Sequence, residues 1–188
     1  MKNFKLIIAL ALALVMFSGF WSTGSDDKRR NDIQSDSKES LELLYKHKTE
    51  TIEQIKNAYG YATFTNYGVN MMMFSGEVGT GLAHNNKTGK ETYMGMVSGG
   101  MGFGLGAKEF RAIFIFETQK VYDRFIEDGW EANAQLDAAM QAENDGDSHN
   151  EAYTIEQGMK LYKLTRNGIA MQMTMQGSKY FEDNELND

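Results

Sequence analysis

Cysteine and proline are both absent from this 188-residue chain, and each absence removes a class of solutions. Without cysteine there are no disulfides, no thiolate nucleophile and no Cys-ligated metal site. A lipid anchor attached through an N-terminal cysteine is excluded for the same reason. Without proline nothing interrupts a backbone ladder, which suits a continuously hydrogen-bonded sheet. Basic residues are the minority charge: 19 Lys and Arg stand against 26 Asp and Glu, a formal net charge of −7. Such a balance argues against nucleic-acid binding, where phosphate neutralisation by Lys and Arg supplies most of the affinity. It also predicts average repulsion from a strongly anionic membrane, so lipid contact would need a local patch or apolar burial.

Long apolar runs are scarce too. The one at the N-terminus, Leu6 to Phe17, is uncharged and follows Lys2 and Lys5. This has the form of a secretory signal peptide and falls short of the roughly 20 apolar residues that span a bilayer. Ser22-Thr23-Gly24 supplies small residues for cleavage before Ser25, giving a signal peptide over 1–24; the alternative is an uncleaved anchor extended by Phe20 and Trp21. Cleavage removes two positive charges and shifts the net charge to −9. The expected product is exported, periplasmic or secreted, and able to sit peripherally on a membrane.

Ser25 to Ser40 is polar, with Asp26-Asp27-Lys28-Arg29-Arg30 and Ser35-Asp36-Ser37, and reads as a flexible leader over 25–38. A domain over 39–188 follows. Asp36 and Glu39 form a capping pair, and Leu41, Leu44, Lys48, Ile52, Ile55 and Tyr59 line one face of a helix that Gly60 stops. Twelve of the 19 glycines lie between Gly60 and Gly106, interleaved with Met, Phe, Tyr and Val. Short strands are expected over 61–66, 69–75, 78–84, 91–98, 101–106 and 111–116, with a hairpin loop at 85–90. Thr118 to Asp128 reads as a helix ended by Gly129. A second helix runs through Trp130, Leu136 and Met140, and 144–150 is an acidic loop. Strands at 159–165 and 169–175 close the chain around Asn167-Gly168, a strong hairpin signal. The class is α+β: an antiparallel glycine-rich meander, barrel-like if it curls, an N-terminal amphipathic helix, one or two later helices and a C-terminal hairpin.

Gly102-Phe103-Gly104-Leu105-Gly106-Ala107 matches a dinucleotide fingerprint in letters. Phe110 to Phe116 then continues as a strand, so the helix N-terminus that would hold a pyrophosphate is missing from the pattern. Gly100, Gly102, Gly104 and Gly106 instead bare one face of a strand. The common reason is close packing or bending; the functional one is a groove for an acyl chain. Met71-Met72-Met73-Phe74, Met94, Met96 and Met101 make the sheet rich in methionine, which fills cores and also adapts to ligands. His47, His84 and His149 lack metal-ligand spacing, Asp145, Asp147 and Glu151 fail the calcium-loop pattern, and no nucleophile elbow is present. No catalytic residue, metal or cofactor is expected.

The pieces then fall into an order. Ala58-Tyr59-Gly60-Tyr61-Ala62-Thr63-Phe64 leads into Gly68, followed by Gly76-Glu77-Val78-Gly79-Thr80-Gly81 and Gly102 to Lys108. Ile113-Phe114-Ile115-Phe116, Gly129-Trp130-Glu131 with Asp137, Asn167-Gly168-Ile169-Ala170 and Gln176 to Tyr180 complete it. In order and spacing this resembles the SYLF family of lipid-binding domains, over roughly Leu41 to Leu186. Thr65 stands where the family often has proline, and Val69-Asn70-Met71 replaces its Lys-Gly-Gly. The resemblance implies a non-enzymatic phospholipid-binding domain whose partner is a phospholipid or membrane surface. Lys46, Lys48 and Lys56 are the candidate headgroup contacts. Met71, Met73, Phe74, Gly102, Gly104 and Gly106 are the candidate apolar-chain contacts. The rivals are a structural or protein-interaction module of the envelope and an enzyme of unfamiliar type.

Overall fold

The computed structural model describes residues 24–72, 74–100, 104–132, 152–165, 168–169 and 177–188. Two helices lead: α1 (Asp26–His47) and α2 (Thr51–Asn57). Four long strands follow, β1 (Gly60–Met72), β2 (Phe74–Asn85), β3 (Glu91–Gly100) and β4 (Gly104–Phe116). After α3 (Gln119–Glu127) come β5 (Trp130–Glu131), β6 (Ala152–Glu156), β7 (Met159–Thr165), β8 (Gly168–Ile169), β9 (Ser178–Glu182) and the short α4 (Asn184–Asn187). The described strands form one antiparallel sheet in the order β5-β9-β3-β2-β1-β4-β7-β6, with β8 paired to β7. The α+β class read from the sequence is the class observed.

The segment 25–38, expected to be a flexible leader, is helical. Ser25 caps α1 by accepting from the Lys28 amide, and Asp26 and Asp27 occupy its first turn, where carboxylates suit the positive end of a helix. Tertiary contacts then fix it. Arg29 reaches Asp183 at 3.2 Å and Arg30 donates to the Leu186 carbonyl at 2.9 Å. Polarity along a chain signals disorder only when no distant partner satisfies it. The expected single helical face through Tyr59 is also divided. α1 closes at Lys48, whose amide reaches the Leu44 carbonyl, and α2 restarts at Thr51, whose hydroxyl donates to the Lys48 carbonyl at 2.6 Å.

Six expected short strands are four long ones, because the glycines read as interruptions lie inside continuous ladders. β1 pairs with β2 from Gly60↔Asn85 to Met71↔Phe74, and with β4 from Gly60↔Phe116 to Met72↔Gly104. A Cβ at Gly81 would collide with the Phe64 ring, and one at Gly79 with the Asn66 carboxamide. These glycines are seats for cross-strand side chains. The 85–90 loop is as expected: Asn85 Oδ1 accepts from the Lys87 and Thr88 amides, and Gly89 turns with φ +72.

Strong curl gives the sheet its shape. Tyr180 on β9 and Phe64 on β1 are three strand positions apart, which in a flat sheet would be about 14 Å. Their ring centroids are 4.6 Å apart. The inner face of this half-barrel is packed with Phe64, Met94, Met96, Phe114, Leu161 and Tyr180, and α3 closes it with Val121, Tyr122 and Phe125. On the outer face α1 and α2 lay Leu44, Ile55 and Ala58 over Ile113, Ile115, Tyr162 and Leu164. Ile33 packs with Leu82, Tyr93 and Leu186.

The helix expected at 118–128 is present as α3, ended by Gly129 at φ +71. Trp130, expected in a second helix, instead pairs in β5 with Tyr180; Leu136, Met140 and the acidic stretch 144–150 lie outside the described residues. β6 was not expected at all. Its alternating Tyr153 and Ile155 and the Gln157-Gly158 turn, with Gly158 at φ +87, were the available signal. In the closing hairpin Thr165 pairs with Gly168, so Gly168 belongs to the strand and not to the turn. Met171, Met173 and Met175 lie outside the described residues.

Candidate functional site

The residues singled out from the sequence fall into two groups at opposite ends of the sheet. Lys46, at the last turn of α1, and Lys56, at the last turn of α2, are exposed. Lys48, between the helices, and Lys56 pair with Glu50 at 3.9 Å and Glu53 at 3.5 Å. Ala58 and Tyr59 alone join α2 to β1. Met71 and Phe74 lie at the far end, where they pair with each other, and Gly104 and Gly106 pair there with Met72 and Asn70. Thirteen residues of β1 separate the two groups, about 40 Å at ~3.3 Å per residue. Met73 and Gly102 lie outside the described residues.

The far end has a character of its own. No Asp, Glu, Lys or Arg occurs over 57–76 or 92–107. The register brings the ends of these two stretches side by side, with Ser75 opposite Gly100 and Met72 opposite Gly104. α1 crosses the outer face short of this end. Its Ser37 accepts from the Thr63 hydroxyl at 2.7 Å, and its Asp36 carbonyl and Ser40 hydroxyl accept from Arg111, each at 3.2 Å. One row beyond, Tyr67, Val78 and Val97 stand in register across β1, β2 and β3. Tyr67 is 43% exposed. Further out Gly76 faces Gly99, and a Cβ on either would meet nothing within 4 Å. The outer face thus emerges from beneath the helix as open sheet, uncharged over β1, β2 and β3 and bordered by Glu109 on β4 and Lys179 on β9.

The inner face is packed along the described middle of the sheet. Its aromatic rings fill the curl, and Met94 and Met96 are fully buried, the core role for methionine. Two features there escaped the sequence reading. Lys163 is buried on this face with its ammonium 6.0 Å from the Phe110 ring centre. The Asn66 carboxamide and the Tyr180 hydroxyl are buried without a hydrogen-bond partner. Burial pushes the Tyr180 hydroxyl's pKa far up, with the Glu77 charge adding to the shift.

A charged cluster marks the border between the covered and open halves of the outer face. Arg111 on β4 donates to Glu39 of α1 at 2.9 Å and lies 4.0 Å from Glu109. Burial raises the pKa of Asp36; Arg111 opposes this, while Glu39, Asp32 and Glu109 add to it. An open cleft of about 310 Å³ lies here, lined by Glu39, Leu43, Glu109 and Arg111. Sequence reasoning missed it because helix and strand are some 70 residues apart in the chain. His84 lies 3.8 Å from Glu91 and stacks on Tyr61. Among the described residues no three His, Asp or Glu side chains converge as metal ligands, and no helix is long and apolar enough to cross a membrane.

Comparison with known proteins gives one anchor of ancestry. No family model matches the chain. Over 131 residues, 70% of its length, it is 33% identical to Beta cell expansion factor A of Aeromonas veronii. That alignment takes in 48% of the Aeromonas protein, so the chain spans about half the length of the curated relative it resembles.

Proposed function

We propose that this chain is an exported, non-enzymatic phospholipid-binding domain of the SYLF type that docks on a membrane through the uncharged end of its sheet. The observation that carries this reading is the stretch of outer face beyond α1. Exposed Tyr67, the Val78–Val97 row and the open Gly76–Gly99 pair form a surface on paired strands whose own side chains carry no charge, between Glu109 on β4 and Lys179 on β9. Surfaces of this kind contact other apolar surfaces or lipid. The packed middle of the inner face, where Phe64, Phe114 and Tyr180 meet, favours contact at a surface over enclosure of an acyl chain there. The net charge of −7 makes apolar burial, and not charge attraction, the source of affinity.

The test is liposome co-sedimentation of the chain from Ser25 onward. Gly99→Glu places a carboxylate where a side chain meets no neighbour, so the fold should survive while vesicle binding falls at least tenfold. Unchanged binding would remove the docking surface. The second reading, a structural or protein-interaction module of the envelope, is supported by the filled interior. It would be favoured by failure of the wild-type chain to sediment with any bilayer.

A further inference from the structure

The first half of α1 is fastened to the sheet differently from the second. From Asp26 to Asp36, Ile33 is the only apolar residue and the only buried one. It packs with Leu82, Tyr93 and Leu186 in a cluster separate from the two larger cores. The rest of the hold is polar. Arg29 bridges Asp183 and Glu185, each at 3.2 Å, Arg30 donates to the Leu186 carbonyl and Gln34 donates to Glu91 at 2.8 Å. The C-terminal residues that receive these bonds are anchored to β3 without help from α1. The Asp183 amide donates to the Tyr93 carbonyl at 3.0 Å, and the Asn187 carboxamide donates to the same carbonyl at 2.8 Å and accepts from the Tyr93 amide at 2.9 Å. The second half is held by its apolar face, with Leu44 in the core over Ile113 and Ile115.

We propose that this first half is a hinged cover that lifts when the domain docks, an inference that rests on the membrane-docking reading. The hinge lies at Asp36–Ser40, where the Ser40 hydroxyl donates to the Asp36 carbonyl at 2.7 Å and Arg111 donates to that carbonyl at 3.2 Å. A hydroxyl bonded back to the carbonyl one turn earlier weakens a helix locally and often bends it. Behind the docking row of Tyr67, Val78 and Val97 the outer face continues with two more uncharged rows, Thr65–Thr80–Gly95 and Thr63–Leu82–Tyr93. The cover lies on the last of these, through Ile33 against Leu82 and Tyr93. Thr65 is buried on this face with its hydroxyl unpartnered, a group that headgroup water would satisfy. Lifting gives up one apolar contact and several bonds whose partners regain water. It exposes further uncharged sheet to the bilayer. A bilayer that contacts more of the open form than of the closed one shifts the equilibrium toward opening.

Hydrogen exchange on the chain from Ser25 onward, with and without phosphatidylcholine vesicles, tests this. A detached helix this short is marginal in water, so lifting reads as lost protection. Vesicles should lower protection over 26–36 by roughly tenfold or more while leaving Leu44 and β1 protected. R29Q with R30Q, which touches neither larger core, should lose the same protection without vesicles and bind them severalfold more tightly than the wild type. Circular dichroism checks its fold, and should the variant unfold, the wild type's response to vesicles decides alone. Wild-type binding with protection over 26–36 retained, and no tighter binding by the variant, overturns the cover and leaves docking standing. Binding by the variant but not by the wild type supports a cover that holds the docking face shut. Binding by neither overturns the docking reading and the cover with it.

Discussion

At the scale of the residue, the tightest constraints are those that look least specific in the sequence. Gly81 lies beneath the Phe64 ring; Gly81→Ala forces the ring or the strand to move and should cost about 1–3 kcal/mol, read by urea denaturation. Tyr180→Phe should be neutral or slightly stabilising, because it deletes a buried hydroxyl that has no partner while keeping the ring. Tyrosines also set an alkaline limit. Burial pushes Tyr61 and Tyr122 up to about 12 from the usual 10. Folding therefore favours their neutral forms: this contribution is fully present below pH 10 and is lost as pH rises through about 12. Absorbance at 295 nm followed beside unfolding should show the two events together. Little of this was legible in advance. The alternating glycines were visible, but which ring covers which glycine depends on a register that only the paired strands reveal.

Among the elements, α1 is where the sequence misled most and where the reason is clearest. Its buried stripe is Ile33, Ser37, Ser40 and Leu44, at helical spacing but half hydroxyl. An apolar-periodicity reading sees only its C-terminal half, from Leu41 on. The serines are matched from across the chain, by the Thr63 hydroxyl and by Arg111. Arg29→Ala should cost roughly 1–3 kcal/mol, because it strands the buried Asp183 carboxylate. Hydrogen exchange should then show α1 opening from its first turns. By contrast α3 was readable from the sequence, since Val121, Tyr122 and Phe125 supply a local apolar face and Gly129 a local stop. The meander was readable as to type but not as to strand length, for glycine marks a break or a seat equally well. The candidate site was half legible. Met71, Phe74, Gly104 and Gly106 lie at the end of the sheet proposed to dock, and the lysines lie at the other end.

For the whole molecule, curvature matters more than composition. A flat sheet of this order would hold Phe64 and Tyr180 far apart and leave each face to find its own cover. Curling lets one set of rings, Phe64, Phe114, Phe125 and Tyr180, serve four separate elements. Removal of residues 183–188 should lower the melting temperature by several degrees, because it deletes the partners of Arg29 and Arg30 and the Leu186 contact with Ile33 at once. The meeting of Phe64 and Tyr180 also has a consequence for how the chain is made. The hairpins of β1 to β4 leave the ribosome long before Tyr180 does, so an aromatic half-shell must wait without its stopper. Until β9 docks, the partly folded chain leaves those rings uncovered, so its cooperative closure waits on the C-terminal segment.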